Sequence, residues 1–291
     1  MLEGIIIKGI GGFYYVKTDS SIIECKARGK FRNKKIKPLV GDRVKVKLTH
    51  EDNKGVIEEI ENRKNVLIRP PVANIDQAVI VFALKKPDPN LWLLDRFLMM
   101  AENENIDIII CINKIDLGSK EEMNYIKKNY DLAGYKVITT NGKNEINTES
   151  LKEILKNKIS VFAGPSGVGK STLLNSVQPN LSLKTGEISE KTNRGKHTTR
   201  SANLLELDIG GWVVDTPGFS SLNINFADED NLDYFFKEIY EYKNMCKFTG
   251  CKHHKEPKCA VKEALEEGQI SKDRYNNYIK FLHEIKNNRR Y

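Results

Sequence analysis

Ile159-Ser160-Val161-Phe162-Ala163-Gly164-Pro165-Ser166-Gly167-Val168-Gly169-Lys170-Ser171-Thr172-Leu173-Leu174 is the stretch from which the rest of the chain can be read. Five uncharged residues, mostly β-branched or aromatic, predict a buried strand over 159–163. Gly164 to Ser171 has the spacing G-x-x-x-x-G-K-[ST], and the residues after it predict a helix over 170–177. Strand, glycine loop and helix in that order make a phosphate cradle. The glycines let backbone N–H groups converge, and the helix N-terminus adds its positive dipole end. Pro165, Ser166, Val168 and Thr172 complete the candidate contacts. Lys170 is placed to reach the outer phosphates and Ser171 to ligate Mg2+.

Working outward, Asp215-Thr216-Pro217-Gly218 follows the apolar run Trp212-Val213-Val214. Asp215 would serve the Mg2+ side, through water or directly, and the Gly218 N–H would meet the γ-phosphate. Upstream, Asn113-Lys114-Ile115-Asp116 follows a strand predicted over 108–112. The Asp116 carboxylate can accept both N–H donors of a guanine edge, a pair that adenine lacks. A polar mismatch in a buried site discriminates far more than a missing methylene. The Lys114 stem can lie along the purine, Asn113 can tie its loop to the phosphate loop, and Thr139-Thr140-Asn141 can close over the base. GTPases usually run phosphate loop, D-x-x-G, then N-K-x-D. Here N-K-x-D comes first, so the domain reads as circularly permuted, with its last switch leading straight into the C-terminal segment.

The flanks differ from this middle. Residues 4–8, 13–16, 22–25, 43–48 and 55–60 read as five short strands separated by Gly, Asp and Asn, as in a small OB-like barrel. Arg69-Pro70-Pro71 then reads as a stop and linker. From 72 to about 220, strand-like runs alternate with helical ones, which predicts a mostly parallel sheet with helices around it. Residues 228–291 read as helices around Cys246, Cys251, His253, His254 and Cys259. Three thiolates and an imidazole suit tetrahedral Zn2+ in a structural site, and either histidine satisfies the chemistry. The expected domains are 1–70, 71–225 and 226–291. Cys25 and Cys111 fall in apolar runs and read as small core residues.

The chain has 291 residues, with 47 Lys+Arg against 39 Asp+Glu, a net charge of +8. Residues 1–70 hold 16 Lys+Arg and 9 Asp+Glu, a net of +7, which leaves 31 against 30 elsewhere. Ten of those cations lie between Lys26 and Lys47, where Asp42 is the single acid, and Phe13, Tyr14, Tyr15 and Phe31 are near in sequence. Cations with aromatics on an OB-like sheet predict an RNA-docking face that contacts phosphates without reading bases. Lys280, Lys286, Arg289 and Arg290 form a smaller group. With no long apolar run and no basic leader, a cytoplasmic chain is expected, without membrane contact and without an obligate oligomer.

These motifs together resemble the circularly permuted GTPases of the RsgA/YjeQ family, over nearly the whole chain. The residues that carry the resemblance are Asn113 to Asp116, Gly164 to Ser171, Gly195-Lys196-His197-Thr198-Thr199, Asp215 to Gly218, and Cys246-x4-Cys251-x-His253-x5-Cys259. The resemblance implies an OB-like barrel, a permuted GTPase core, a zinc domain with His253 as the fourth ligand, and GTP hydrolysis stimulated by the bacterial small ribosomal subunit as that subunit matures. In the polar segment 182–202, Thr198 or Thr199 would complete the Mg2+ shell. Phe219 stands where a water-orienting Gln is usual, and an aromatic ring cannot orient water. His197 is the nearest replacement, set against an RNA-facing or structural role. Two other readings are an rRNA-binding assembly module with a merely structural nucleotide site, which Lys170, Ser171 and Asp215 argue against, and an ATP-using P-loop protein, which Asp116 argues against.

Overall fold

Strands β1 (Leu2–Ile10), β2 (Phe13–Lys17), β3 (Ile22–Ala27), β4 (Arg43–Leu48) and β5 (Lys54–Ile60) close into a barrel in the order β1-β2-β3-β5-β4. A short helix, α1 (Gly29–Asn33), precedes β4. This is a computed structural model, and it describes residues 1–33, 35–68, 70–181, 202–215 and 222–288. In β4 the alternation works as its sequence demands: Val44 and Val46 are buried while Arg43 and Lys47 are exposed. Two short strands that the sequence did not announce, β6 (Val66–Leu67) and β7 (Val72–Ala73), flank the expected linker and pair in a small ladder, and Val72 bridges to Val40 beside the barrel. Gly41 makes this closure possible, because its φ is +89° and a Cβ there would stand 2.1 Å from the Ala73 carbonyl oxygen.

The second sheet has six strands in the order β10-β9-β8-β11-β13-β12. They are β8 (Gln77–Ala83), β9 (Asp107–Asn113), β10 (Lys136–Thr139), β11 (Ile159–Ala163), β12 (Leu204–Glu206) and β13 (Trp212–Val214). Only β12 runs antiparallel to its neighbour. All residues of β8 and β11 are buried, the mark of strands covered on both faces. Along β8, Ala78, Ile80 and Phe82 pack in the core with α2 (Leu91–Asn103) and α3 (Lys120–Asp131). Val79, Val81 and Ala83 pack on the other face with α4 (Thr148–Leu155) and α5 (Lys170–Val177). Local sequence sets the helix starts: the Asn90 side chain caps α2, and Ser119 with Glu122 forms a capping box on α3. From β8 the chain steps outward through β9 and β10, then returns so that β11 lies on β8's other side. That reversal opens a crevice at the carboxyl ends of β8 and β11, where doubly wound sheets bind ligands.

The C-terminal segment comprises a 3-10 turn (Leu232–Phe235), α6 (Lys237–Lys243), α7 (Ala260–Glu266) and α8 (Lys272–Asn288). The helical spacing through Leu232 and Tyr242 is interrupted at Phe236, whose backbone is extended (φ −123°, ψ 86°). There the ring packs against Tyr278 and Phe281 in a core that also takes Met99 from α2. Tertiary packing thus overrides helical periodicity at one residue. Among the described residues no helix is long and apolar enough to cross a membrane.

Candidate active site and metal centre

The glycine loop leaves β11 and enters α5 as its spacing predicts. Gly164 has φ +133°, and a Cβ on it would lie 2.1 Å from the Val81 carbonyl oxygen of β8. Gly169 has φ +95°, and a Cβ on it would lie 2.5 Å from Nδ2 of Asn113. The loop is therefore threaded between the ends of two neighbouring strands at a distance only glycine permits. Lys170 Nζ donates to the carbonyls of Gly164 (2.9 Å) and Pro165 (2.7 Å). Burial pushes its ammonium down to about 8 from the ordinary lysine range. Ser171 is buried in the first turn of α5, with Thr172 beside it. Ser166 and Gly167 are exposed at the loop tip and Val168 is buried beneath it.

Asn113, at the end of β9, joins three loops. Its Nδ2 donates to the Val168 carbonyl (2.9 Å), and its Oδ1 accepts from Thr140 Oγ1 and the Gly142 N–H (both 3.2 Å). Lys114 has φ +57°, rare for a non-glycine residue. Its Nζ holds it there, donating to the carbonyls of Gly167 (2.7 Å) and Lys86 (2.5 Å). Ile115 and Asp116 open a short 3-10 turn, and Asp116 is exposed. The predicted N-K-x-D segment and phosphate loop are thus brought together by direct hydrogen bonds. Gly142 and Lys86 escaped sequence reading because they contribute backbone groups, which no side-chain pattern announces.

Asp215 follows β13 directly, and a neighbour not singled out from sequence grips it. The Asn203 N–H donates to Oδ1 (2.8 Å) and Asn203 Nδ2 donates to Oδ2 (2.5 Å). Asn203 Oδ1 is a buried acceptor with no partner among the described residues. The Ser171 hydroxyl and the Asp215 carboxylate are hard oxygen groups, the chemistry that a hydrated Mg2+ requires. His197, Thr198, Thr199 and Gly218, together with Phe219, Arg289 and Arg290, lie outside the described residues.

Cys246, Cys251, His253 and Cys259 bring one donor atom each into a group within 4.8 Å of one another. Cys246 Sγ is 3.8 Å from Cys259 Sγ, and His253 Nδ1 is 3.5 Å and 3.4 Å from those two sulfurs. A tetrahedral zinc with ordinary bond lengths sets S···S and S···N edges of about 3.8 and 3.5 Å, so the donor set fits such an ion. Burial pushes the Cys259 thiol up to about 12, and a thiolate there calls for a cation beside it. His254 points elsewhere, edge-on to His283 at 5.1 Å. Behind the cluster, His253 Nε2 lies 3.7 Å from Asp233 Oδ2, a carboxylate suited to orient the ring. Cys25 and Cys111 are core residues, both fully buried.

A buried polar cluster joins the C-terminal segment to the sheet domain. Arg274 of α8 donates to Asp95 of α2 (2.7 Å) and, through Nε and Nη2, to Glu238 of α6 (2.7 and 3.0 Å). Asp95 also accepts from Tyr130 (3.0 Å) and Asn277 (2.6 Å). On the barrel, Lys26 lies 5.1 Å from the ring centroid of half-exposed Phe13, and Lys8 lies 5.8 Å from that of Tyr15. Phe31, expected on this face, is a core residue instead. Asp42 is buried under Arg63 (2.7 Å), so the one acid of the basic stretch is not on the surface. Near the end of the chain, Lys286 pairs with Glu229 (3.3 Å).

Fold and loops define a P-loop GTPase whose strands are threaded in permuted order beside a closed five-stranded barrel. The family described as RsgA GTPase matches residues 60–225, and the RsgA N-terminal domain matches residues 3–57. The chain belongs to the RsgA GTPase family and is a GTP hydrolase. It is 56% identical over 288 residues to the small ribosomal subunit biogenesis GTPase RsgA of Clostridium perfringens, covering 99% of both chains. It is 52% identical over 292 residues to that of Alkaliphilus metalliredigens, covering all of both. The crystal structure of YjeQ from Thermotoga maritima superposes with a TM-score of 0.85 at 40% identity, covering 98% of each chain. That of YloQ, described as a circularly permuted GTPase, superposes at 0.83 with 42% identity, covering 99% of this chain and 96% of that one.

Proposed function

We propose that this chain docks on the small ribosomal subunit, hydrolyses GTP there to GDP and phosphate, and releases, assisting late maturation of the subunit. The observation that carries the reading is the pair of ties from Asn113 and Lys114 to the phosphate loop, which fix the guanine-reading carboxylate relative to the phosphate cradle. In this reading Asn113 to Asp116 hold the base, Gly164 to Thr172 with Gly218 hold the phosphates, and Lys170 neutralises developing charge. Ser171, Asp215 and one of Thr198 and Thr199 serve Mg2+, which supplies Lewis-acid stabilisation of the phosphates when bound. His197, or a group of the partner, is assigned to water positioning when the partner is bound. Cys246, Cys251, His253 and Cys259 hold one structural Zn2+, which supplies folding energy to a unit with a small core.

We assign residues 1–70, 71–225 and 226–291 to the barrel, GTPase and zinc domains. The barrel takes rRNA through its cationic face and the zinc domain gives a second contact. The chain acts as a cytoplasmic monomer away from membranes. The names of the relatives support the partner, and the excess of +7 in the first 70 residues supports the docking face. The test is GTP turnover with and without purified small subunits. Stimulation is expected, and equal rates would remove the ribosomal reading. Equal affinity for ATP and GTP would return the ATP reading in its place.

A further inference from the structure

Asp215 does not stand alone on its strand. Asn203 donates to both of its carboxylate oxygens, and the Asp215 N–H donates back to the Asn203 carbonyl (3.0 Å). Two donors on two oxygens stop the carboxylate from turning about its last bond, so its remaining lone pairs keep one direction. The donor is a neutral amide. An Arg or Lys in its place would cancel the charge that a cation must meet, whereas Asn fixes the group and leaves its charge available. On its other side, Asn203 forms an antiparallel bridge with Lys8 of β1. One strand further on, Lys17 of β2 pairs with Glu206 of β12 at 2.8 Å. Barrel, Asn203 and Asp215 therefore stand side by side across one sheet edge. All three residues of β12 pair with β13, and the barrel holds its other side through the Lys8–Asn203 bridge and the Lys17–Glu206 pair.

We infer that Asn203 is a positioning residue for Asp215 and that the barrel, through β1 and β2, sets the direction in which Asp215 meets the nucleotide's divalent cation. The inference rests on Asp215 serving Mg2+. It gives the barrel a second task besides docking, since a partner that shifts the barrel would change metal affinity at the nucleotide.

The test uses the full chain with a fluorescent GDP analogue, titrating Mg2+ and reading nucleotide fluorescence and dissociation rate. Asn203→Ala should raise the Mg2+ half-saturation by about tenfold or more, as loss of partners behind metal-ligating carboxylates does. It should leave nucleotide affinity in EDTA unchanged and lower the melting midpoint by only the few degrees that loss of one charged hydrogen bond brings. Lys17→Glu, which sets like charges opposite Glu206, should shift the half-saturation in the same direction by about two- to threefold, the effect of a fraction of a kcal/mol at an exposed pair. Asp215→Ala separates the two levels. If it leaves Mg2+ half-saturation unmoved, Asp215 does not serve the cation. If it raises the value and Asn203→Ala does not, the positioning role is wrong. If Asn203→Ala raises it and Lys17→Glu does not, the barrel is not part of the device.

Discussion

Replacing Arg274 by Met would test how the C-terminal segment with its Cys/His cluster is joined to the GTPase sheet. The guanidinium is fully buried and makes three charged hydrogen bonds, one to Asp95 and two to Glu238. It also stacks 4.5 Å from the Phe236 ring centroid. Such hydrogen bonds contribute about 1.5–3 kcal/mol each, but the cost of desolvating the guanidinium offsets much of that sum. The larger effect is on what stays behind: Asp95 and Glu238 would remain buried without their cation, and stripping one partner from a buried pair costs about 3–5 kcal/mol. At about 2–4 °C per kcal/mol for domains of this size, the melting midpoint should fall by about 6–20 °C. The loss should depend on pH with a definite sign. Burial already holds Asp95 above its usual value despite Arg274 and Asn277. The folded state therefore keeps a proton that the unfolded chain releases, and stability from this group falls as pH rises from the ordinary Asp value through the folded one. Without Arg274 that window extends upward, so Arg274→Met should be less damaging at pH 5 than at pH 8. Adding Asp95→Asn and Glu238→Gln should recover part of the loss by removing the stranded charges. Urea unfolding at both pH values reads all of this. A single variant within about 1 kcal/mol of the parent at both would mean that the cluster is not held by charge, and the reasoning would fail.

Gly169→Ala should lower nucleotide affinity by at least about tenfold with a smaller loss of stability, because a Cβ at φ +95° adds about 1–3 kcal/mol of strain and meets Asn113 Nδ2 at 2.5 Å; isothermal titration checks it. Lys170 releases its proton near pH 8 in the free chain, while bound phosphates would keep it protonated. Binding above that pH must then take up a proton, so affinity should fall as pH rises past about 8, and calorimetry in buffers of different ionisation heat should show the uptake. Stripping metal with a strong chelator should abolish a separate melting transition of the C-terminal segment and lower helical signal, while the described sheet stays folded. Metal analysis of unchelated protein should return about one zinc per chain.

Side-chain chemistry was the legible part of this chain. The eight residues from Gly164 to Ser171, the four from Asn113 to Asp116 and the Cys/His spacing each carry a pattern because ligand geometry fixes both residue type and separation. Alternation revealed β4, and uninterrupted apolar runs revealed β8 and β11, since burial on one or both faces writes itself into period and length. What stayed hidden depends on contacts remote in sequence. The ladder of β6 and β7 exists because Gly41 admits the Ala73 carbonyl, 32 residues away. Phe236 breaks a good helical repeat because Tyr278 and Phe281 claim its ring. Phe31 sits among basic residues yet is buried, so proximity in sequence wrongly grouped it with the exposed cations. Arg274, Asp95 and Glu238 look like ordinary surface charges until three helices bring them together, up to 179 residues apart.

Permutation gives these remote contacts a common direction. In the threading seen here, the barrel precedes β8 and the C-terminal segment follows β13, so both are attached to strands next to β11 and its phosphate loop. The barrel grips the outer edge of β12, whose neighbour β13 ends in Asp215. The C-terminal segment grips α2 through Arg274 and Arg96, and the loop leading into α2 contains Lys86, whose carbonyl holds Lys114. Each flanking unit thus reaches a nucleotide loop through one strand or one helix. A rigid element so short transmits a displacement with little loss, because packed interiors resist continuous deformation. A partner that held barrel and C-terminal segment at a fixed separation would therefore act on the Asp215 side of the crevice through β12 and on the Lys114 side through α2. Tying both arms at once is what distinguishes this arrangement from a GTPase with a single appended domain. The expected signature is non-additivity: Lys17→Glu and Arg274→Met should together change nucleotide dissociation by more or less than the product of their separate effects, although they lie in different units. Simple multiplication of the two effects would mean that the arms act independently.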